Sequence, residues 1–245
     1  MLNFSGISST SRLGRLLRWP LRLVPWGAEL FVLQGPLRGA RWIAGSTNHG
    51  CWLGTYEKEK QLSFWKTLRP GGVVYDIGAS VGFYTLLGAR GVGPDGRVYA
   101  FEPLTGNLEY LRRHLALNRA TNVEIIEAAV SDVSGERCFD PGPNSSMGHL
   151  SAWGSVRVIS CTLDQLFAEG RIRPPTCVKI DVEGAEAAVI RGARQVLRTW
   201  RPPLLIATHG AEVHRETVTE LTLLGYTVED LYGNNLDETD ELICR

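Results

Sequence analysis

Long apolar runs are absent from this sequence. Its longest apolar stretches are the length of a β-strand, whereas a helix that crosses a membrane needs about 20 apolar residues. The N-terminus lacks the charged, apolar and small-residue segments of a secretory signal. The formal net charge is zero, so no bulk positive charge supports a nucleic-acid partner. These absences predict a cytoplasmic protein that binds no nucleic acid.

Cysteine is scarce as well. Five cysteines are scattered along the chain without a Cys-x-x-Cys pair, which argues against a zinc site or a disulfide framework. Cys161, Cys177 and Cys244 lie in apolar, strand-like runs. We therefore expect reduced thiols in the core.

Charge is distributed unevenly between the two ends of the chain. Residues 1–28 contain four arginines and no acidic residue, and residues 229–241 contain six acidic residues and no basic one. Within residues 12–24 the apolar side chains and the arginines fall on opposite faces of a helix, which Pro20 ends or kinks. Such a helix packs on its own domain or on a second subunit, or it makes a peripheral membrane contact. These interpretations stay open, and so does the oligomeric state.

The chain is predicted to consist of an N-terminal extension and one large domain. The extension, residues 1–53, contains the basic helix and two short strands around residues 30–33 and 41–44. The domain, residues 54–245, is long enough to bury its own core. It opens with a helix over residues 55–68 that places Leu62, Trp65 and Leu68 on one side.

Strands and helices alternate from residue 73 onward, which predicts an α/β fold with a parallel sheet and helices on both faces. The last two strands are joined by a turn alone, so they are expected to pair antiparallel at the sheet edge. A turn-rich insertion over residues 134–155 is expected to cover a site. The predicted strands are residues 73–75, 97–101, 123–127, 156–161, 177–180, 204–207, 226–228 and 242–244, and the helices are 81–89, 104–117, 163–168, 185–197 and 212–224.

The stretch VVYDIGASVGFYT, residues 73–85, has the strand, glycine turn and helix of many nucleotide-binding loops. A phosphate-binding loop of the NTPase kind is excluded, because no Gly-Lys-Ser/Thr opens the helix. A dinucleotide-binding loop requires a glycine where Ser80 stands. The carboxylate of Asp76 at the strand end would also repel a pyrophosphate.

S-adenosylmethionine has the opposite requirements, because it carries no phosphate and its sulfonium and ammonium groups are cations. Asp76 suits that charge, and Gly78 and Gly82 allow the backbone to approach the ligand. Glu102 ends the next strand and can accept hydrogen bonds from the ribose hydroxyls. An NAD ribose would use the same acid, so Asp76 and Ser80, not Glu102, favour S-adenosylmethionine. Taken singly, Asp76 is equally a helix-capping acid and Glu102 a solvated loop residue.

The stretch VKIDVEGAEAAVIRGA, residues 178–193, carries the most specific motif of the chain. Together with DIGASVGFYT, AFEP, TLDQL and AAVSD it resembles the FkbM family of methyltransferases, which has Lys-Ile-Asp-Val-Glu-Gly-x-Glu where this chain has Lys179 to Glu186. The resemblance runs from about Gly54 to the C-terminus. It implies a class I, Rossmann-like methyltransferase with a seven-stranded, mostly parallel sheet and a C-terminal antiparallel hairpin.

The resemblance also implies function. It implies S-adenosylmethionine as cofactor and O-methylation of a sugar, glycolipid, polyketide or other natural-product hydroxyl, or of a carboxyl group. The segment AAVSD resembles the one near the adenine. Family members commonly have Glu-x-His after the fifth strand, where this chain has Ala207, Thr208 and His209: the histidine is kept and the acid is absent. Pattern and resemblance together predict the cofactor-binding residues Asp76, Gly78, Ala79, Ser80, Gly82, Tyr84, Glu102, Pro103, Ala129 and Asp181.

Catalytic residues are sought beyond the carboxyl ends of the strands, where ligands of open α/β sheets lie. Asp181 ends the fourth strand and His209 the fifth, and we predict His209 as the general base because of its ordinary pKa. Asp181 would orient the acceptor, hold the cofactor or bind a divalent metal, although a metal is not favoured because further ligands are not evident from spacing. Glu183 is predicted to have a site role, but Glu183 and Glu186 equally suit a helix start. Lys179 is expected to pair with one of these two acids.

Several interpretations remain open at this point. They include N- or C-methylation on the same scaffold, a non-catalytic S-adenosylmethionine-binding module and an NAD-dependent oxidoreductase. The acceptor, a small molecule or a glycan, would be selected by the loops around residues 36–57 and 134–155. Tyr56 and Glu57 match the family's segment before the first strand; they could close over the cofactor or acceptor, or equally form an exposed helix start. The histidines predicted to lie on the solvated surface are His49, His114, His214 and His149, the last also as a lid residue in the insertion.

Overall fold

The computed structural model describes residues 19–142, 148–151, 153–236 and 239–245. Most of the predicted basic helix lies outside these residues; a 3₁₀-helix spans Trp19–Leu23 at its end. No described helix is long and apolar enough to cross a membrane. The two short strands of the extension are present as β1 (Glu29–Phe31) and β2 (Arg41–Ile43), which pair antiparallel.

The predicted strands and helices of the domain are present, except that the helix predicted over residues 185–197 is divided in two; a short helix and short strands that were not predicted are added. The remaining elements are α1 (Gly50–Leu53), α2 (Lys58–Thr67), β3 (Val73–Ile77), α3 (Phe83–Val92), β4 (Arg97–Phe101), α4 (Thr105–Leu117), β5 (Val123–Ile126), β6 (Ala129–Val130), β7 (Gly135–Asp140), β8 (His149–Leu150), β9 (Val156–Cys161), α5 (Leu163–Ala168), β10 (Cys177–Ile180), α6 (Glu186–Arg191), α7 (Arg194–Trp200), β11 (Leu204–Ala207), α8 (Ala211–Leu223), β12 (Val228–Asp230) and β13 (Glu241–Cys244).

The main sheet has seven strands in the order β12-β13-β11-β10-β3-β4-β5. β13 pairs antiparallel with both of its neighbours, and every other pairing is parallel. Helices cover both faces, so the predicted Rossmann-like class I fold and its C-terminal antiparallel hairpin are confirmed.

Alternate residues of the central strand belong to the two faces of this sheet. Val73, Tyr75 and Ile77 pack in one hydrophobic cluster, and Val74 packs in the other. Because side chains alternate along a strand, Asp76 points to the same face as Val74. Trp42 of the extension belongs to that cluster too, so the extension and the domain share one core.

The predicted insertion is more ordered than its turn residues indicate. β7 and β8 join β6 and β9 in a second sheet of four strands, ordered β6-β9-β7-β8. The strand β7 was not predicted, because its sequence GERCFD has no apolar alternation and only Phe139 in it is buried. Residues 143–147, within the insertion, lie outside the described structure.

Helix α2 also differs from its sequence pattern. Leu62 is 40% exposed, whereas Lys60, Gln61 and Phe64 are buried. A buried lysine is rare unless it is paired, so the charge of Lys60 requires partners inside the protein.

Two of the histidines assigned to the solvated surface are buried, which corrects that prediction. The ring of His114 is fully buried and stacks on Trp42 with ring centroids 3.9 Å apart. Its Nε2 accepts a hydrogen bond from the backbone N–H of Ile43, and its Nδ1 lies 2.7 Å from the carbonyl oxygen of Val81. His214 is buried against the hydroxyl of Thr208. The cysteine prediction holds: all five are free, and Cys161, Cys177 and Cys244 are buried.

Candidate active site

Two cavities meet beyond the carboxyl ends of β3, β4 and β10, where an open α/β sheet binds its ligands. They enclose about 550 Å³ and about 530 Å³ of space, part of which is open to solvent. We call them the first and the second cavity. Both are lined by Gly78, Ser80, Asp181 and Glu183.

The two cavities differ in their other walls. The first is also lined by residues after β4 and β5 and by the second sheet: Phe101, Glu102, Pro103, Leu104, Asn107, Ala128, Ala129, Val130, Phe139, Gly148, Leu150, Val182 and Ala185. The second is also lined by the extension and the start of α3: Thr47, Cys51, Tyr56, Ala79, Val81, Phe83, Tyr84 and Lys179. The insertion therefore forms part of the wall of the first cavity through Phe139, Gly148 and Leu150, and its covering of a bound ligand stays a prediction.

The glycine loop between β3 and α3 requires glycine at its first position. Gly78 has φ +76°, and a Cβ there would lie 1.8 Å from the carbonyl oxygen of Asp181. The close approach brings the ends of β3 and β10 together at the wall shared by the cavities. Ser80 also has a positive φ of 48°, a strained conformation typical of functional sites.

Glu102 connects this loop to the next one. Its Oε2 accepts a hydrogen bond from the N–H of Ser80 at 2.8 Å, and its Oε1 accepts from the N–H of Leu104 at 2.9 Å and from Asn107 at 3.2 Å. The carboxylate is 4% exposed, and this burial raises its pKa. Glu102 lines the first cavity, where it was predicted to bind the ribose.

Asp76 lies one layer below the loop. Its carboxylate is fully buried: Oδ2 accepts a hydrogen bond from Thr85 at 2.6 Å, and Oδ1 lies 3.4 Å from Nζ of Lys179. Asp76 and Gly82 do not line the described walls of either cavity, whereas the other predicted cofactor-binding residues do. Contact between Asp76 and the methionine end stays a prediction.

A cluster of one histidine and three acids stands at the ends of β10 and β11. Nδ1 of His209 lies 2.9 Å from Oε1 of Glu186, and its Nε2 lies 3.5 Å from Glu183 and 3.8 Å from Asp181. Glu183 precedes helix α6 with φ +56°, so it is outside the helix that it was equally predicted to begin. Glu186 begins α6 and is fully buried.

The surroundings of His209 change its expected protonation. Burial lowers its pKa, but the hydrogen bond to Glu186 and the charges of Asp181 and Glu183 together raise the pKa to about 9. His209 therefore carries a proton at neutral pH, and the ordinary histidine pKa that favoured it as a base does not apply to the free protein. Burial raises the pKa of Glu183, which brings this carboxyl closer to the range of a general base.

His209 has a buried carboxylate partner in Glu186, although the acid that the family commonly has before its histidine is absent here. Position 207 is an alanine, yet a carboxylate reaches His209 from the neighbouring strand's loop. Sequence reasoning gave Glu186 only a helix-start role, because its contact with His209 depends on the pairing of β10 and β11.

Two lysines approach the same carboxylate oxygen of Asp181. Nζ of Lys179 lies 3.7 Å from Oδ2 of Asp181 and donates a hydrogen bond to the carbonyl oxygen of Gly78. It also faces Asp76 across the β10–β3 register, so Lys179 pairs with these two aspartates and not, as predicted, with Glu183 or Glu186. Nζ of Lys60 lies 3.7 Å from the same Oδ2. Burial alone would raise the pKa of Asp181, but the charges of Lys179 and Lys60 lower it.

Tyr56 and Glu57 lie beside the second cavity. Tyr56 lines it and packs edge-on against Phe83 with ring centroids 5.3 Å apart. The hydroxyl of Tyr84 donates a hydrogen bond to Glu57 at 2.7 Å. Glu57 also stands directly before helix α2, and a closing of this segment over a ligand stays a prediction.

Asp181, Glu183 and His209 could hold a divalent cation, since each offers one ligand atom and these atoms lie within 4.8 Å of one another. A cation bound there would replace the proton of His209, and the ammonium groups of Lys60 and Lys179 beside Asp181 would repel it. We therefore keep the interpretation without a metal.

Comparison with proteins of known sequence gives a curated relative. The chain is 28% identical over 169 residues to the hexuronic acid methyltransferase AglP of Haloferax volcanii, a match that covers 68% of this chain and 67% of AglP.

Among solved structures, similarity extends over most of the chain at low identity. The precorrin-6y C5,15-methyltransferase of Geobacter metallireducens GS-15 matches with a TM-score of 0.49 at 16% identity, covering 76% of this chain and 87% of that one. The methyltransferase FkbM of Methylobacillus flagellatus KT matches with a TM-score of 0.47 at 20% identity, covering 81% of this chain and 55% of that one.

The sequence-family model of the methyltransferase FkbM domain matches residues 76–228, which is more than half of the 245 residues. This range contains the glycine loop, Glu102 and the whole histidine–acid cluster. The chain therefore belongs to the FkbM family of S-adenosylmethionine-dependent methyltransferases.

Proposed function

We propose that this protein transfers the methyl group of S-adenosylmethionine to a hydroxyl oxygen of a small-molecule or glycan acceptor. The observation that carries the proposal is the position of Asp181 and Glu183 in the wall shared by both cavities, with His209 against them. A cofactor in one cavity and an acceptor in the other would both meet these carboxylates.

The charge of the first cavity supports this cofactor. Among its described lining residues, Glu102, Asp181 and Glu183 are acidic and none is lysine or arginine. Such a lining favours a sulfonium and disfavours the pyrophosphate of NAD. Bound there, S-adenosylmethionine would supply a methyl group activated by its positively charged sulfur.

Each part of the cofactor would meet residues that were predicted to bind it. Glu102 would accept hydrogen bonds from the ribose, and Pro103 and Ala129 would lie beside the adenine. The backbone around Gly78 and Ser80 would approach the methionine end, where the absence of a side chain at Gly78 leaves the loop close to Asp181.

The hydroxyl acceptor must lose its proton, and Glu183 is the base that the surroundings support best. It lines both cavities, and burial raises its pKa. Asp181 stays ionised beside two lysines and would orient the hydroxyl, while protonated His209 would hold both carboxylates in place. A positioned base contributes about 10²–10⁴-fold to rate.

Calorimetry tests the cofactor part. The product S-adenosylhomocysteine is expected to bind, and NAD is not. Binding of NAD with no binding of S-adenosylhomocysteine would overturn the proposal in favour of the oxidoreductase.

Methyl transfer tests the reaction. The purified protein with isotope-labelled S-adenosylmethionine is offered glycosides, uronic acids, polyketide alcohols and amines. An alkali-stable ether product supports O-methylation of a hydroxyl, whereas an N- or C-methylated product contradicts it. Glu183→Gln is expected to lower kcat/KM by about 10²–10⁴-fold and to keep S-adenosylhomocysteine affinity. Unchanged kcat/KM in Glu183→Gln would remove Glu183 as the base.

A carboxyl acceptor is the second candidate, favoured by the similarity to a hexuronic acid methyltransferase. A hexuronic acid offers both hydroxyl and carboxyl groups, so that name supports either product. The negative wall of Asp181 and Glu183 disfavours a second carboxylate. A methyl ester, recognised by release of methanol in mild alkali, would establish this candidate instead.

A further inference from the structure

Lys60 is a buried cation that the reaction described above does not use. It lies in helix α2, is 1% exposed, and has its Nζ 2.8 Å from Glu241, 3.6 Å from Glu57 and 3.7 Å from Asp181. A charge in such a place is costly unless partners compensate it. Lys60 lines neither cavity on its described walls, so it acts on ligands only through its partners.

The two oxygens of Asp181 have different neighbours. Lys60 and Lys179 both approach Oδ2, each at 3.7 Å, whereas Nε2 of His209 approaches Oδ1 at 3.8 Å. The ring of Tyr84 lies near both ammonium groups, 5.9 Å and 5.5 Å from its centroid. The two lysines thereby hold Oδ2, and Oδ1 faces His209.

Lys60 and Lys179 reach Asp181 from different parts of the chain. Lys179 lies two residues before Asp181 on β10. Lys60 and its closest partner Glu241 lie outside residues 76–228, on opposite sides of the range that the family model matches. Helix α2 and strand β13 therefore meet at the carboxylate through this one ammonium group.

We propose that Lys60 is a positioning residue for methyl transfer, which holds the charge and orientation of Asp181 against the shared wall of the two cavities. The proposal rests on the proposed function of that wall. Glu241 anchors the ammonium group, and Lys60 transmits the position of α2 and β13 to Asp181.

The electrostatics agree with this geometry. The charges of Lys179 and Lys60 oppose the effect of burial and lower the pKa of Asp181. Burial raises the pKa of Glu241 to about 7, against the lowering effect of Lys60. The charged groups that face Asp181 or its partners are Glu57 before α2, Lys60 of α2, Asp76 of β3, Lys179 of β10, Glu183, Glu186 of α6, His209 and Glu241 of β13.

The test compares Lys60→Met with Lys66→Met, an exposed lysine of the same helix. Lys60→Met is expected to bind S-adenosylhomocysteine like the wild type and to lose about tenfold or more in kcat/KM. The acidic limb of its pH profile, where Glu183 and Asp181 gain protons, is expected to move upward, because Asp181 then binds its proton more readily. Lys66→Met is expected to match the wild type throughout.

A double variant separates positioning from folding. Lys60→Met leaves Glu241 buried without its cation, which lowers stability; Lys60→Met/Glu241→Gln removes both charges and should recover the melting temperature. Recovered stability with a displaced acidic limb supports the proposal. Recovery of stability, rate and limb together would overturn it and leave Lys60 a structural ion pair.

An NMR titration of the His209 ring needs no acceptor and therefore distinguishes this proposal from the proposed function. Removal of the Lys60 charge is expected to raise the pKa of His209, because Lys179 alone then offsets the charge of Asp181 beside the imidazole. An unchanged His209 pKa in both Lys60 variants would overturn the proposal, whatever the acceptor is. Failure to methylate any acceptor, with a shifted His209 pKa, would instead count against the proposed function alone.

Discussion

The buried carboxylate of Glu186 holds Nδ1 of His209 at 2.9 Å, although the two residues follow different strands of the sheet. The same oxygen of Glu186 accepts a hydrogen bond from the backbone N–H of Gly184 at 3.1 Å. The contact therefore fixes both the imidazole and the loop that carries Glu183. Its consequence is a histidine that keeps its proton at neutral pH.

Replacement of that acid should release the proton. Glu186→Gln keeps a hydrogen-bond acceptor for His209 but removes the buried charge, so the pKa of His209 is expected to fall from about 9 towards the ordinary value of about 6.5. NMR titration of the imidazole protons measures this shift. Glu212→Gln, at an exposed acid in α8, is the control and should leave the pKa unchanged. A pKa that stays near 9 in Glu186→Gln would assign the shift to Asp181 and Glu183 instead.

The pH profile of methyl transfer distinguishes the two candidate bases. With Glu183 as base, Asp181 ionised and His209 as a cation, kcat/KM is expected to fall in acid as Glu183 and Asp181 gain protons. It is also expected to fall near pH 9 as His209 loses its own proton. With neutral His209 as base, the rate would instead increase through the same alkaline range. Kinetics measured from pH 5 to pH 10 with one acceptor decide between them, and an alkaline increase would contradict the assignment of Glu183.

The strand ends could be predicted from sequence because their pattern is local. Asp76, Glu102 and Asp181 each follow an apolar run, and parallel strands bring their carboxyl ends to one edge. Asp181 and His209 end consecutive core strands of the predicted sheet, and the pairing of β10 with β11 brings those ends together. The C-terminal hairpin was equally evident, since only a turn joins its strands.

The partners of these residues could not be predicted, because they depend on contacts between distant segments. Lys60 stands in a run of alternating charges, EKEK, that is typical of a solvated helix face. Its burial follows from the position of Glu241, 181 residues later. His114 gave no signal for the same reason: its ring meets β2 and the glycine loop, neither of which is near it in the chain.

Burial of His114 should make stability depend on pH. Burial lowers its pKa to about 4, whereas the unfolded chain has the ordinary value of about 6.5. The unfolded chain therefore binds the proton more readily between these values, so the free energy of unfolding is expected to fall as pH falls from 6.5 to 4. The full loss is roughly 3 kcal/mol.

Urea unfolding at several pH values measures this loss. Carboxyl groups contribute to acid destabilisation as well, so the informative quantity is the difference in slope between the wild type and His114→Gln. The variant is expected to be less stable at neutral pH and to lose less stability on acidification. Equal slopes in the two proteins would show that the pKa of His114 is the same in the folded and the unfolded state.

The close approach at Gly78 predicts a substitution that damages the site rather than the fold alone. Gly78 and Gly71 have nearly the same φ, 76° and 73°, but a Cβ at Gly71 meets nothing within 4 Å. Gly71→Ala therefore tests backbone strain by itself, which costs about 1–2 kcal/mol. Gly78→Ala adds a contact 1.8 Å from the carbonyl oxygen of Asp181, and only separation of the β3 and β10 ends relieves it.

We expect Gly78→Ala to lower stability further and to weaken S-adenosylhomocysteine binding by about 100-fold, roughly 2.7 kcal/mol, while Gly71→Ala keeps its affinity. Urea unfolding and calorimetry on both variants measure this, and equal affinity in the two would mean that the approach of Gly78 to Asp181 does not shape the cofactor site.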